Sequence, residues 1–293
     1  MSARLPLLVV HWNRPDACTT AAASFHTQRI PVDITILDNG STDESLARLR
    51  VGVAELAVVR ELGRNLGFGP ALNVGLREWL ANGDTPFIAV AAHDAVPHAE
   101  CLARLLDVMD TRPRCGIVSA ETGQSHIARF TGWRGPYLPH HARGSGFSAQ
   151  DFPHGTLFLL RRACLSAIGV FDERYFAYGC EMDIGMRARS AGWEVGACFG
   201  ALVDNPERSV AGEVASYLQL RNAIVLVRVW KGTGCALWRS AIALGNTIRL
   251  AFLARDRPHA WSTRSRLFAV LHAWTGQYGP PPARLDAAAK DTA

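Results

Sequence analysis

Along the first hundred residues the chain alternates short apolar runs, polar clusters and stretches of helical period. Residues 5–10 (LPLLVV) form an apolar run with β-branched members and predict a strand that stops at His11-Trp12-Asn13. A helical pattern over 17–27 follows. Residues 32–37 (VDITIL) predict a second strand, cut off by Asp38-Asn39-Gly40-Ser41-Thr42-Asp43, a dense cluster of turn formers. Ser41 followed three residues later by Glu44 has the spacing of a capping box, so a helix is expected from there to about residue 50. A third strand is expected at 57–61, a glycine-rich turn at 63–69 and a helix at 70–81. A buried fourth strand at 86–92 (PFIAVAA) ends at His93-Asp94.

Strand, turn and helix thus recur with a period of roughly 25 to 30 residues, the signature of βαβ units and a largely parallel sheet. Ligands of such sheets sit at the carboxyl ends of the strands, and every polar cluster named above falls at such an end. Residues 125–150, rich in Gly, Pro, His and Arg, are expected to be a long irregular segment. Beyond it a strand is expected at 155–160, a short helix at 162–168 and one more strand at 193–199. From residue 213 the pattern changes to long helices. Leu237, Ala241, Leu244, Ile248 and Phe252 recur at spacings of four, three, four and four, and Arg239, Asn246 and Arg249 interrupt them. This is an amphipathic helix rather than a membrane span, and core packing is the commonest fate of such a stripe. A second apolar and basic segment covers 264–274, and the small, polar tail is expected to fray. The division expected is 1–212 for the α/β domain, 213–283 for a helical region, and 284–293 for a flexible tail.

Composition narrows the classes. A chain of 293 residues, 48% hydrophobic and 19% charged, can bury a large core. Its 31 Lys and Arg against 26 Asp and Glu give +5, which favours phosphate-bearing ligands or an anionic surface and is too weak to imply nucleic acid. Seven scattered cysteines without a C-x-x-C pair argue against a disulfide framework and a zinc site, and fit a reducing cytosol. LPLLVV is too short for a signal peptide, and no run approaches the ~18 uncharged apolar residues of a membrane span.

The stretch YFAYGCEMDIGMRARSAGW (175–193) places Glu181 and Asp183 two apart at the start of a helix, where they could simply favour the helix dipole. In order along the chain, VVHWNR, ILDNGSTD, GRNLGFGPALNVGL, HDAVP, GVFDERYFAYGCEMDIGMRARSAGW and YLQLRN resemble the inverting GT-A glycosyltransferases of family 2. The likeness is closest to the bacterial rhamnosyltransferase-like branch and covers roughly residues 5–230. The resemblance implies a GT-A fold: an α/β protein with a mostly parallel, Rossmann-like central sheet flanked by helices, here with a C-terminal helical extension. It also implies a cytoplasmic enzyme, at or near the inner face of the membrane, that moves a sugar from a nucleotide-diphosphate donor to a hydroxyl with inversion, in the synthesis of cell-surface polysaccharide or another glycan.

Carried over residue by residue, His11 to Asn13 by backbone and Asp38 by side chain would hold the base and ribose. Asn65, Gly67 and Asn73 would line the nucleotide, Gly155 would make room for the donor sugar, and Arg221 would reach the diphosphate or pair with an acid at the domain junction. The family's metal-binding D-x-D reads Ala92-His93-Asp94 here, so Asp94 would hold Mg²⁺ or Mn²⁺, with His93 and Asp204 as further candidate ligands. Glu181 falls at the position of the general base, with Cys180 replacing the preceding acid, and Asp183 either structural or orienting a sugar hydroxyl. The acceptor implied is a glycan, a lipid-linked sugar or a small molecule. The basic C-terminal helices are open to peripheral membrane contact or to a second subunit.

Two rivals have sequence arguments against them. A nucleotidylyltransferase needs a glycine-rich, basic loop after the first strand, and HWNRPD is not one. A Rossmann dehydrogenase needs G-x-G-x-x-G, and Gly63, Gly67 and Gly69 have another spacing. A degenerate family member that binds sugar nucleotide or glycan without turnover stays open, because Ala92, Cys180 and the missing His near Asp204 depart from the pattern.

Overall fold

In the computed structural model, which describes residues 4–123, 126–139, 144–206, 212–253, 262–283 and 285, the chain divides into two compact units. The first comprises 1–129, 138–172 and 181–208, and the second 130–137, 173–180 and 209–293.

The first unit is built on one mixed sheet. The strands are β1 (Leu5–His11), β2 (Val32–Asp38), β3 (Val58–Glu61), β4 (Phe87–Ala92), β5 (Val96–Pro97), β6 (Cys115–Glu121), β9 (Gly146–Ala149), β10 (Leu157–Arg161) and β11 (Glu194–Asp204). Their order is β3-β2-β1-β4-β10-β6-β11-β5, with β9 on β11. The first four pair in parallel, as the βαβ period predicts. β10 runs antiparallel to β4 and β6, and β5 and β9 run antiparallel to β11. Periodicity carries no strand direction, so this reversal is not in the sequence pattern. The central β4 and β10 are buried along almost their whole length, whereas the edge strand β3 is largely exposed. This is the distribution expected for a sheet covered on both faces.

Helices α1 (Pro15–His26), α2 (Asp43–Gly52), α3 (Phe68–Asn82), α4 (Cys101–Thr111), α5 (Arg162–Ile168) and α6 (Cys180–Ser190) flank the sheet, Cys180 itself belonging to the second unit. One face of the sheet forms a continuous core from Leu7, Val9, Ile34 and Ile36 with Phe25 of α1 and Leu102, Leu105 and Met109 of α4. On α3, a Cβ at Gly75 would lie 2.8 Å from the Leu8 methyls, so glycine lets the helix approach the strand without moving Leu8. The cap of α2 differs from expectation. Thr42, not Ser41, caps it by accepting the Ser45 N–H, while the Ser41 hydroxyl turns back to the first strand. No element is expected at 95–124, yet α4 and β6 lie there. The segment expected to be irregular contains β9 and, counted mainly with the second unit, a short hairpin of β7 (Arg129–Thr131) and β8 (Gly135–Tyr137).

The second unit also contains α7 (Glu213–Lys231), α8 (Thr233–Phe252) and α9 (Thr263–Thr275). α7 is its core, buried from Leu220 to Val227. α8 and α9 are tied by bonds from Trp274 Nε1 to Ser240 Oγ (2.9 Å) and from Arg266 Nε to Thr247 Oγ1 (3.0 Å). Tyr217 on α7 bonds His272 on α9 at 2.7 Å. Ser262 caps α9 and Gly276, in the left-handed region, ends it. Except for Leu285, the expected tail at 284–293 falls outside the described residues.

Candidate active site

Parallel pairing puts the strand ends of the first unit in a row. His11 is opposite Asp38 in the β1–β2 register, and Val10 is opposite Ala92 across β1–β4. The next residues along, His11 and His93, meet edge to face with ring centroids 6.4 Å apart. On the far side of β4, the Ala92 N–H donates to Thr156 O at 2.9 Å, which brings the 154–156 turn to the same rim. The rim therefore runs from Asp38 through His11 and His93-Asp94 to Gly155.

At its first end the groups are buried and committed. The Arg14 N–H donates to His11 Nε2 at 3.2 Å, so the ring's hydrogen is on Nδ1, which faces Asp38 Oδ1 at 2.9 Å. Asp38 Oδ2 accepts the Ser41 N–H at 3.2 Å. Burial alone would raise the Asp38 carboxyl, but the bonds from His11 and from the Ser41 hydroxyl and N–H outweigh it and hold the group below the usual range. Asn13, in the left-handed region at φ 53, donates its N–H to Ser41 Oγ and accepts the Thr42 N–H on Oδ1. Asp38 and Asn13 thus shape one rigid turn.

The neighbouring glycine-rich loop is clamped by a residue that sequence reasoning missed. Asn39 donates to Asn65 Oδ1 (3.0 Å) and Gly67 O (3.2 Å), and its own Oδ1 accepts the Leu66 N–H. Asn65 Oδ1 also takes the Gly67 N–H at 2.9 Å, and Gly67, at φ 92, starts α3. Gly40 fits beneath this loop, where a Cβ would lie 2.5 Å from the Arg64 carbonyl carbon. The signal for Asn39 is only its place in the turn-former cluster. Asn73, expected to line the nucleotide, holds two parts of the first unit together. It is fully buried and joins α3 to the loop after α5, exchanging 2.9 Å hydrogen bonds with both the N–H and the carbonyl of Phe171.

Asp94 is buried in the turn after β4. The His93 ring, hydrogen-bonded to the Val10 backbone, has its pKa lowered to about 4, first by burial and then by the nearby His11 and Arg14. It stays uncharged at neutral pH, as a metal ligand must be. Asp204 ends β11 and pairs with the exposed His98 at 3.1 Å; it lies opposite Val96 in the β11–β5 register, two residues on from Asp94. Among the described residues no three His, Cys, Asp or Glu side chains converge on one point. These residues fit a cation completed by diphosphate oxygens and water, for which one or two carboxylates suffice. They do not make a cage on their own.

Glu181 and Asp183 have separate fates, as the roughly 200° between positions two apart on a helix requires. Asp183 is buried and accepts Arg187 Nε at 2.7 Å, and Arg187 caps the carbonyls of Ile168 and Val170. The pair braces α6 on the preceding loop, the structural role that the sequence left open for Asp183. Glu181 is half-buried, and its carboxylate occupies the space left by Gly155: a Cβ there would be 2.6 Å from Glu181 Oε1. Among the acids of α6, Glu181 alone is set against the rim.

Arg221 is committed to partners within its own unit. It belongs to the second unit, is fully buried, and donates to Asn222 Oδ1 (2.9 Å) and Gly279 O (2.8 Å). Burial lowers its pKa. Asn222 in turn donates to the carbonyls of Ala177 and Tyr178, so the Arg-Asn pair fixes the loop that runs into α6.

Comparison with solved structures defines the class. GalNAc-T7 with UDP, GalNAc and Mn²⁺ matches at a TM-score of 0.62 and 13% identity, over 95% of this chain and 59% of that one. The mannosyltransferase PcManGT from Pyrobaculum calidifontis, with GDP-Man and Mn²⁺, matches at 0.57 and 16%, over 94% and 87%. The fold is GT-A, as expected. Residues 7–169 match the model of glycosyl transferase family 2, and the chain belongs to that family. An N-acetylglucosaminyl-diphospho-decaprenol L-rhamnosyltransferase of Mycobacterium tuberculosis is 28% identical over 205 residues, 59% of this chain and 66% of its own. The match thus spans just under two thirds of that relative's length.

Proposed function

We propose that the chain is an inverting transferase that moves a sugar from a nucleotide-diphosphate donor to the hydroxyl of a lipid-linked glycan acceptor. The observation that carries this reading is the Glu181 carboxylate set against Gly155 at the strand rim. One carboxylate within reach of an acceptor oxygen is what inversion asks of the protein, because the hydroxyl loses its proton as it attacks the anomeric carbon opposite the leaving diphosphate. Glu181 takes that proton. The Asp38–His11 pair and the Asn39-clamped loop make a floor for base and ribose, with carboxylate lone pairs and backbone N–H groups as partners. Asp94, with His93 and Asp204 as further candidates, would hold a divalent cation, which when bound neutralises charge on the departing diphosphate.

The acceptor and sugar class are supported by the relative named as an N-acetylglucosaminyl-diphospho-decaprenol L-rhamnosyltransferase. Cation dependence is favoured by Mn²⁺ in both structural neighbours. The test is Glu181→Gln. It should keep the thermal shift given by nucleoside diphosphate with Mn²⁺ and lose about 10²–10⁴-fold in transfer rate. Full transfer by this variant would remove Glu181 as the base. A wild-type protein that binds donor but turns nothing over would leave the degenerate binder standing.

A further inference from the structure

The apolar stripe of α8 faces outward. Among its exposed residues are Leu237 (56%), Trp238 (59%), Ile248 (58%) and Phe252 (85%), with Ala241 and Gly245 also exposed between them. At 100° per residue these six span about 100° of the helix surface. The opposite face, with Ala236, Ser240, Ala243, Thr247 and Leu250, is the buried one. Next to the stripe stands the exposed Arg249. α9 adds a second row, with exposed Leu267, Leu271 and Arg264. Neither helix contains an Asp or Glu; their charged side chains are Arg239, Arg249, Arg264 and Arg266. None of the helices in the described residues is long and apolar enough to cross a membrane.

We infer that α8, with the exposed row of α9, is a surface for an anionic lipid bilayer. The helix lies in the headgroup layer with Leu237, Ile248 and Phe252 in the acyl boundary and Trp238 at the interface. The exposed Arg249 and Arg264 face lipid phosphates, while Arg239 is desolvated by burial and Arg266 bonds Thr247 between the helices. Two features favour a bilayer over a protein partner. The exposed charges of the two helices, Arg249 and Arg264, are of one sign, which an anionic leaflet complements. A large apolar face with an interfacial Trp and flanking Arg is what membrane-surface helices need. The inference goes beyond the transfer reaction and does not depend on it.

The test is flotation of the full chain with vesicles of pure phosphatidylcholine and with vesicles containing about 30% phosphatidylglycerol. Binding to the anionic vesicles, with a blue shift of Trp fluorescence, is expected, weakening as salt is raised. Ile248→Ser with Phe252→Ser should weaken it about tenfold or more at unchanged melting temperature without lipid, and Arg249→Gln with Arg264→Gln should weaken it on anionic vesicles. Absence of flotation with either vesicle would overturn the inference. So would a wild-type dimer that the Ser variants convert to monomer, because a second copy would then cover the stripe. Donor binding measured on the same preparations keeps this outcome separate from that of the transfer reaction.

Discussion

At Gly155 a single methyl group separates two outcomes that are usually confounded. The nearest atoms to the alanine Cβ all belong to the Glu181 side chain, with Oε1 at 2.6 Å, so the far end of a flexible side chain is what must shift. Gly155→Ala should therefore leave stability within about 0.5 kcal/mol of wild type in urea denaturation. Transfer should nevertheless fall about 10²-fold, since a displacement of about 1 Å in a reacting group has that effect. His93 gives a second prediction. Its pKa in the folded protein, about 4, lies below the ordinary 6.5. Between these values the unfolded chain takes up a proton that the folded one refuses, so stability falls with pH from 6.5 to 4, by on the order of 3 kcal/mol. Asp38, lowered instead, contributes stability above its unfolded value near 4 and loses it only in stronger acid. Denaturation at pH 7 and pH 5 should show a smaller difference in His93→Gln than in wild type.

At the scale of elements, α6 depends on a bond network that reaches beyond the helix. Arg187→Met would take the Arg187 guanidinium from the buried Asp183 carboxylate and remove donors from the carbonyls of Ile168 and Val170. It should cost about 2–3 kcal/mol in urea denaturation, less than a fully buried pair because Arg187 is partly exposed. The parallel half of the fold was legible, since a βαβ period and turn formers mark β1 to β4 directly. α4 and β6 are as regular as their neighbours, but they carry no polar cluster of the kind that drew attention elsewhere. β7, β8 and β9 are three or four residues long, too short for an alternation to register. For α8 the period shows that one face is apolar, but not whether that face meets the core or solvent. In the site, residue types and rim position could be read from the strand ends. Which of the open alternatives for Asp183 and Arg221 the fold takes, and that Asn73 bonds Phe171, could not, because the same polar side chain braces a loop or binds a ligand according to which way its helix is turned.

Across the whole molecule, seven free cysteines follow the two units. Cys18, Cys101, Cys115, Cys164 and Cys198 are buried in the first, and Cys180 is buried in the second, where Cys235 is half-buried. Burial pushes the thiols of Cys18, Cys101, Cys115 and Cys164 up to about 12. At neutral pH these four have almost no thiolate to offer an alkylating reagent. In the native protein they are chemically silent, and each becomes reactive only when its own part of the chain opens. The sulfur atoms therefore act as clocks distributed through the sheet and its helices: the order in which they take up label is the order in which the α/β unit comes apart, with Cys235 reporting separately on the helices.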